Sequence, residues 1–321
     1  MSYLDVNDLS IEELDSTEYD LSIFACGYEE RSIFFPGLFS SASSKVIVFG
    51  FSDSAENSDY KLNSAFYSHS SRYKVDPIVL GYHDVNKLFA TLLDAVENFV
   101  AGPADSFKVL VDYSSMPRLW YSEILNFIKS YDFGVPVVCD FVYSVGEHVK
   151  AYTGSQLSDP IVLPGCGGIS TYNKETVGIF SLGFNEGGPI CLHRKIEPDK
   201  TFSLIARPGA LEDYTEKAIQ CNKVFLESCS MGTVYAPLDS VERSYSILRE
   251  MFYPYLQVAS VVMVPFGPKP HALASILAAM NYPEVACLYS SMGGSGAAVK
   301  PTTELVISRI KKLDASPYIR F

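Results

Sequence analysis

Three segments of this chain occur twice, in the same order, and that recurrence narrows the folds open to it more than any single residue does. IFACGYEER (residues 23–31) parallels IFSLGFNEG (179–187): an apolar run, a glycine, an aromatic residue, then an acid. VLVDYSSMPRLWYSEIL (109–125) parallels VVMVPFGPKPHALASIL (261–277), each an apolar run, a turn, a proline beside a cation and a helical pattern. VVCDFVYS (137–144) parallels VACLYSS (285–291). The spacing agrees, with Pro117 following Gly27 by 90 residues and Pro268 following Gly183 by 85.

Between these segments short apolar runs alternate with longer amphipathic ones, the pattern of strands feeding helices in a largely parallel sheet. Strands are expected over residues 21–25, 45–51, 77–80, 108–112 and 135–142, with helices over 85–100 and 119–131. Residues 151–176 turn to Gly, Ser, Pro and Thr and read as a linker or surface excursion. The order then restarts, with strands over 177–182, 201–206, 233–236, 259–264 and 285–289. Helices are expected over 214–228, 240–251 and 271–281, with a terminal helix over 303–313. The fold class is therefore α/β: two tandem Rossmann-like units of mainly parallel sheet, residues 1–150 and 177–321. Two such copies are expected to pair about a pseudo-twofold axis, with equivalent loops around one shared cleft.

Composition excludes several classes. Hydrophobic residues make up 48% and charged residues 19%, enough apolar surface to offset the ordering entropy that keeps polar chains disordered. A formal charge of −12 argues against attraction to a duplex phosphate backbone. No apolar run reaches the ~18 residues of a membrane span, and the acidic start is unlike a secretory leader, so a cytoplasmic protein with no membrane partner is expected. The seven cysteines stand singly without a C-x-x-C pair, as reduced core thiols do. The five histidines have no metal-ligand spacing and G-x-S-x-G is absent, which disfavours a metal enzyme or a serine hydrolase. No motif calls for a cofactor.

In open α/β sheets ligands gather beyond the carboxyl ends of strands, so the loops there hold the candidate site. In the first loop, residues 26–32, Gly27 permits close approach. Tyr28 would stack on a base, Glu29 or Glu30 would bond a ribose or act as a base, and Arg31 would hold a phosphate. The same residues also read as an acidic helix start with Arg31 paired to a glutamate on a solvated surface. In the second loop, Asp112, Ser114, Ser115 and Arg118 surround the start of a helix opened by Pro117. Ser caps and Pro at a first turn explain this locally, while hydroxyls and amides beside Arg118 suit a phosphate. The counterpart over 265–271 carries Lys269 and His271, the latter read either as an acid–base group or as a solvent-facing or helix-capping residue. Residues 290–296 read as a surface turn and lack the G-K-[ST] of a P-loop. The glycines of 165–168 fail the dinucleotide spacing.

The strand, hydroxyl-rich turn and basic helix start of Asp112–Arg118 resemble the nucleotide-binding turn of CRISPR-associated Rossmann-fold sensor domains, here with Ser114, Ser115 and Met116 where those domains are Gly-rich. The duplication in one chain is similar to the tandem arrangement of SAVED sensors of bacterial anti-phage signalling. The resemblance implies a nucleotide-binding sensor or accessory subunit that takes a small phosphorylated ligand between its halves and passes the signal to an effector protein. A nucleotide hydrolase acting on a glycosidic or phosphodiester bond through Glu29 or Glu30 is the enzymatic alternative. A non-catalytic interaction scaffold is the third.

Overall fold

In the computed structural model, which describes residues 2–41, 43–97, 106–148, 156–168, 174–293 and 299–314, the chain begins β1 (Ser2–Asp8), α1 (Ile11–Asp15), β2 (Tyr19–Cys26), α2 (Arg31–Leu38), β3 (Ser43–Phe51) and α3 (Ser58–His69). Then come β4 (Ile78–Leu80), α4 (Val85–Glu97), β5 (Phe107–Asp112), α5 (Arg118–Ser130), β6 (Val137–His148), β7 (Gln156–Leu157), β8 (Ile161–Val162), β9 (Glu175–Leu182) and α6 (Gly188–Ile196). β10 (Lys200–Ala206), α7 (Tyr214–Cys221), α8 (Lys223–Leu226), β11 (Thr233–Ala236), α9 (Val241–Phe252) and β12 (Ala259–Pro265) follow. The last elements are α10 (Lys269–Asn281), β13 (Val285–Tyr289), β14 (Met292–Gly293) and β15 (Val299–Asp314). Two compact units result, one running to Gly146 and resuming at Val299, the other Glu147–Ala298.

The first unit holds a seven-stranded sheet in the order β1-β15-β6-β5-β2-β3-β4. Its parallel part pairs β2 with β3 and β5, β3 with β4, and β5 with β6. Counted along the chain from β2, those five strands lie in the order 3-2-1-4-5. The second unit has the sheet β11-β10-β9-β12-β13-β8, with β9 parallel to β10 and β12, β10 to β11 and β12 to β13. Counted from β9, the order is again 3-2-1-4-5, the doubly wound order that reverses direction between strands 1 and 4. Burial on both faces explains the apolar runs: every residue from Leu21 to Cys26 in β2 and from Val177 to Leu182 in β9 is buried, as parallel strands between helices must be.

The expected terminal helix is corrected: residues 303–313 lie within β15, which joins the first sheet between β1 and β6. Its ladder with β1 is antiparallel, from Ser2 opposite Asp314 to Asp8 opposite Ser308. Thr302, Thr303, Val306, Ile307 and Ile310 are β-branched, a composition that favours a pleated strand over a helix. An ion pair secures it. Arg309 donates through Nε and Nη2 to the two carboxylate oxygens of Asp140 on β6, both at 2.8 Å, and the Tyr19 hydroxyl donates to the same carboxylate at 2.7 Å. Asp140 is fully buried. β15 thus belongs to the first unit, although its residues follow the whole of the second. The stretch read as a linker contains β7, β8 and the start of β9, and β8 pairs with β13. Residues 98–100 of one expected helix and 294–296 of the glycine-rich turn lie outside the described residues.

Candidate functional site

In the first unit the reversal of strand order falls between β2 and β5, so the loops after these neighbouring strands flank one crevice. Gly27 is the first residue beyond β2. A Cβ there would lie 3.4 Å from the Phe51 ring and 3.8 Å from the Ser115 Cβ, which puts the two candidate loops side by side. Phe51, ending β3, stacks on Trp120 of α5 with ring centroids 4.6 Å apart, and the Trp120 indole donates to the Tyr82 carbonyl at 3.0 Å. Trp120 is fully buried, so the aromatic wall of the crevice is the half-buried Phe51 ring in front of it.

The backbone after β2 is held from behind. The Asn63 amide on α3 donates to the carbonyls of Gly27 at 2.9 Å and Glu29 at 3.0 Å and reaches the Ser32 hydroxyl at 3.0 Å. Ser32 Oγ donates to the Glu29 carbonyl at 2.8 Å, and the Tyr67 hydroxyl donates to the Ser32 carbonyl. Arg31 is buried. Its Nε and Nη2 bond one Glu29 carboxylate oxygen at 3.1 and 2.6 Å, and Nη1 bonds the Tyr143 hydroxyl at 3.2 Å. Burial works against the guanidinium charge, and Glu29 and Tyr143 outweigh it, so the group is held above its ordinary pKa. Glu29 and Arg31 therefore form the pair of the local reading, but largely buried rather than on the solvated surface where that reading put it. Tyr28 is half-buried against the core, and Glu30 is exposed at the start of α2.

After β5, Asp112 accepts from the Ser114 amide at 2.9 Å and from the Ser114 hydroxyl, while Ser114 Oγ accepts from the Ser144 amide of β6 at 2.7 Å. Both residues are buried, so they shape the turn and join it to β6. Ser115 differs. Its residue is half-buried, yet its Oγ is enclosed with no hydrogen-bond partner among the described residues. α5 opens behind it on Pro117, with φ −63° and ψ 151°, with no side chain capping the helix and half-buried Arg118 as its first residue.

The second unit repeats this frame. A Cβ on Gly183, after β9, would come 3.0 Å from the Phe266 carbonyl and 3.5 Å from Gly267. The Asn222 amide donates to the Gly183 carbonyl at 2.7 Å. α10 opens on Pro268, with φ −61° and ψ 156°, again without a side-chain cap, and Lys269 takes the place of Arg118. The solvent-facing reading of His271 is corrected: the side chain is in the interior. It is fully buried, its Nε2 lies 3.1 Å from the Pro237 carbonyl, and burial lowers its pKa to about 4. The ring ties α10 to the connection between β11 and α9.

The two asparagines escaped the sequence reading because α3 was not expected and each lies far from the glycine it serves. Their signal was a recurrence, Asn at 36 and 39 residues past the loop glycine. Among the described residues no group of three or more His, Cys, Asp or Glu is disposed to hold a metal ion, and no helix is long and apolar enough to cross a membrane. The chain matches no protein-family model and no curated protein.

Proposed function

We propose that the chain binds a small phosphorylated ligand of nucleotide type in the first unit, in the crevice where Gly27 meets Ser115. The reading is carried by the Ser115 hydroxyl, enclosed without a protein partner beside a loop glycine, at the uncapped start of α5. A buried hydroxyl lacking a partner is costly. The positive end of a 13-residue helix with Arg118 at its first position suits an anion that would supply that partner. The half-buried Phe51 ring, backed by Trp120, suits a base. Binding is favoured over hydrolysis because the Glu29 carboxylate is committed to Arg31 and Glu30 is exposed at the start of α2 rather than enclosed as a general base would be. A sensor role with a separate effector protein rests on the resemblance carried by Asp112–Arg118, and a place in anti-phage defence on the similarity of the duplicated chain to the tandem SAVED sensors.

Thermal-shift and calorimetric titration with mononucleotides, NAD and cyclic oligonucleotides tests the reading, since a ligand selective for the folded state raises the melting temperature. Arg118→Ala is expected to weaken the ligand that binds by ~1.5 to 3 kcal/mol, the worth of a charge-assisted bond, and Ser115→Ala by about 1 kcal/mol. Unchanged affinity in both variants overturns the assignment.

A further inference from the structure

Away from these loops, the carboxyl edge of the second sheet carries two cations seated on aromatic rings. Lys217 Nζ, on α7, lies 4.9 Å from the centroid of Phe184 and 5.5 Å from that of Tyr214. The two rings stand at 88° with centroids 4.9 Å apart, forming a corner. His148 closes a third side, 5.2 Å from Phe184, and its backbone amide donates to the Tyr214 hydroxyl at 2.8 Å. Beside this corner, the Arg207 guanidinium lies 3.7 Å from the Tyr235 ring centroid. It also lies 3.7 Å from a carboxylate oxygen of Glu216, the residue before Lys217.

The positions follow from the fold. Phe184 is two residues beyond β9, Arg207 one beyond β10 and Tyr235 next to last in β11. The first turn of α7 is fixed to the end of β10 by the Thr215 hydroxyl, which donates to the Ala206 carbonyl at 2.7 Å. Both cations are exposed, and among the described residues Lys217 makes no ion pair with a carboxylate. A ring face holds an ammonium without neutralising it, so the Lys217 charge stays available to an anion, while Arg207 is already paired with Glu216. A guanidinium already stacked on one ring also presents its other planar face to a second π-system.

From this we infer that the second unit carries its own nucleotide site. The base stacks on the outer face of Arg207 over Tyr235, and the phosphates meet Lys217 on the ring corner. The inference concerns different residues from the crevice at Gly27 and Ser115 and does not rest on it.

ATP, titrated calorimetrically into the full chain carrying Arg118→Ala, is the probe, because that background removes the main cation of the first-unit crevice. ATP is expected to bind this chain, and adding Lys217→Ala is expected to weaken it about tenfold. Arg207→Lys keeps the charge and loses the planar stack. It is expected to weaken ATP while leaving inorganic tripolyphosphate unaltered. All three residues are half-buried or exposed, and circular dichroism should show unchanged folding. No ATP binding to the Arg118→Ala chain, or binding indifferent to Lys217→Ala, overturns the site. Tripolyphosphate binding as tightly as ATP and falling equally with Arg207→Lys overturns the stacked base. Loss of ATP binding on Arg118→Ala alone would instead assign all binding to the first unit.

Discussion

Asn63 and Asn222 do the same work in the two sheets: each lends its side-chain amide to the carbonyl of the glycine that follows the first parallel strand, Gly27 at 2.9 Å and Gly183 at 2.7 Å. Both asparagines are buried. A glycine carbonyl turned inward to an amide leaves the outer side of the loop clear, so the switch-point crevice is shaped by a side chain from later in the chain, on α3 in the first unit and between α7 and α8 in the second.

Asn63→Ala removes the amide from two buried carbonyls and the Ser32 hydroxyl. It should lower stability by about 2 kcal/mol, the cost of stranding buried acceptors. The shift in denaturant midpoint at constant slope checks this; a loss below about 0.5 kcal/mol would mean that Ser32 alone holds the loop.

Arg31 and Glu29 should behave as one unit. Arg31→Met breaks a pair whose side chains are 7% and 18% exposed, with an expected loss of about 3 kcal/mol. A double-mutant cycle with Glu29→Gln measures the coupling. Additive losses would show that the guanidinium matters for its packing and its bond to Tyr143 rather than for the pair.

Asp140→Asn should loosen β15 first. Arg309 then loses its ionic partner and Tyr19 an ionised acceptor, at a cost of about 3 kcal/mol. Hydrogen exchange should quicken across residues 299–314 before the centre of the sheet is affected.

The buried His271 makes stability pH-dependent. Its folded pKa, lowered by burial to about 4, lies below that of the unfolded chain, so the unfolded state binds more protons in between. The contribution is complete above roughly pH 6.5 and is lost as pH falls toward 4, with a limiting slope of ~1.4 kcal/mol per pH unit. His193, also lowered by burial, adds in the same direction. Glu123, raised by burial, opposes it, since its contribution is present at low pH and fades as pH rises through its folded pKa. Subtracting the pH–stability curve of His271→Gln isolates the histidine, and parallel curves would refute its role.

The parallel strands were legible because burial on both faces leaves unbroken apolar runs such as Leu21–Cys26, and the loop glycines because the runs end on them. The prolines made the start of α5 legible to within one residue and that of α10 to within two, since the expected helices began at Leu119 and His271 and the elements begin at Arg118 and Lys269. β15 was not. Val306, Ile310 and Leu313 fall at the i, i+4, i+7 spacing of a helical stripe, and only pairing with β1, some 300 residues earlier in the chain, makes that segment extended. α2 was obscured by Pro36 inside it, and the Glu29–Arg31 pair was one of two readings that local sequence left open. A hydroxyl such as Ser115 Oγ reveals its missing partner only once its surroundings are assembled.

The return of β15 to the first sheet makes the second unit an insertion within the first. During synthesis the ribosome must finish all of Glu147–Ala298 before the strand that sits between β1 and β6 emerges. The second sheet has its parallel strands in hand earlier, and the first waits, open between β1 and β6, for a closing strand translated after it.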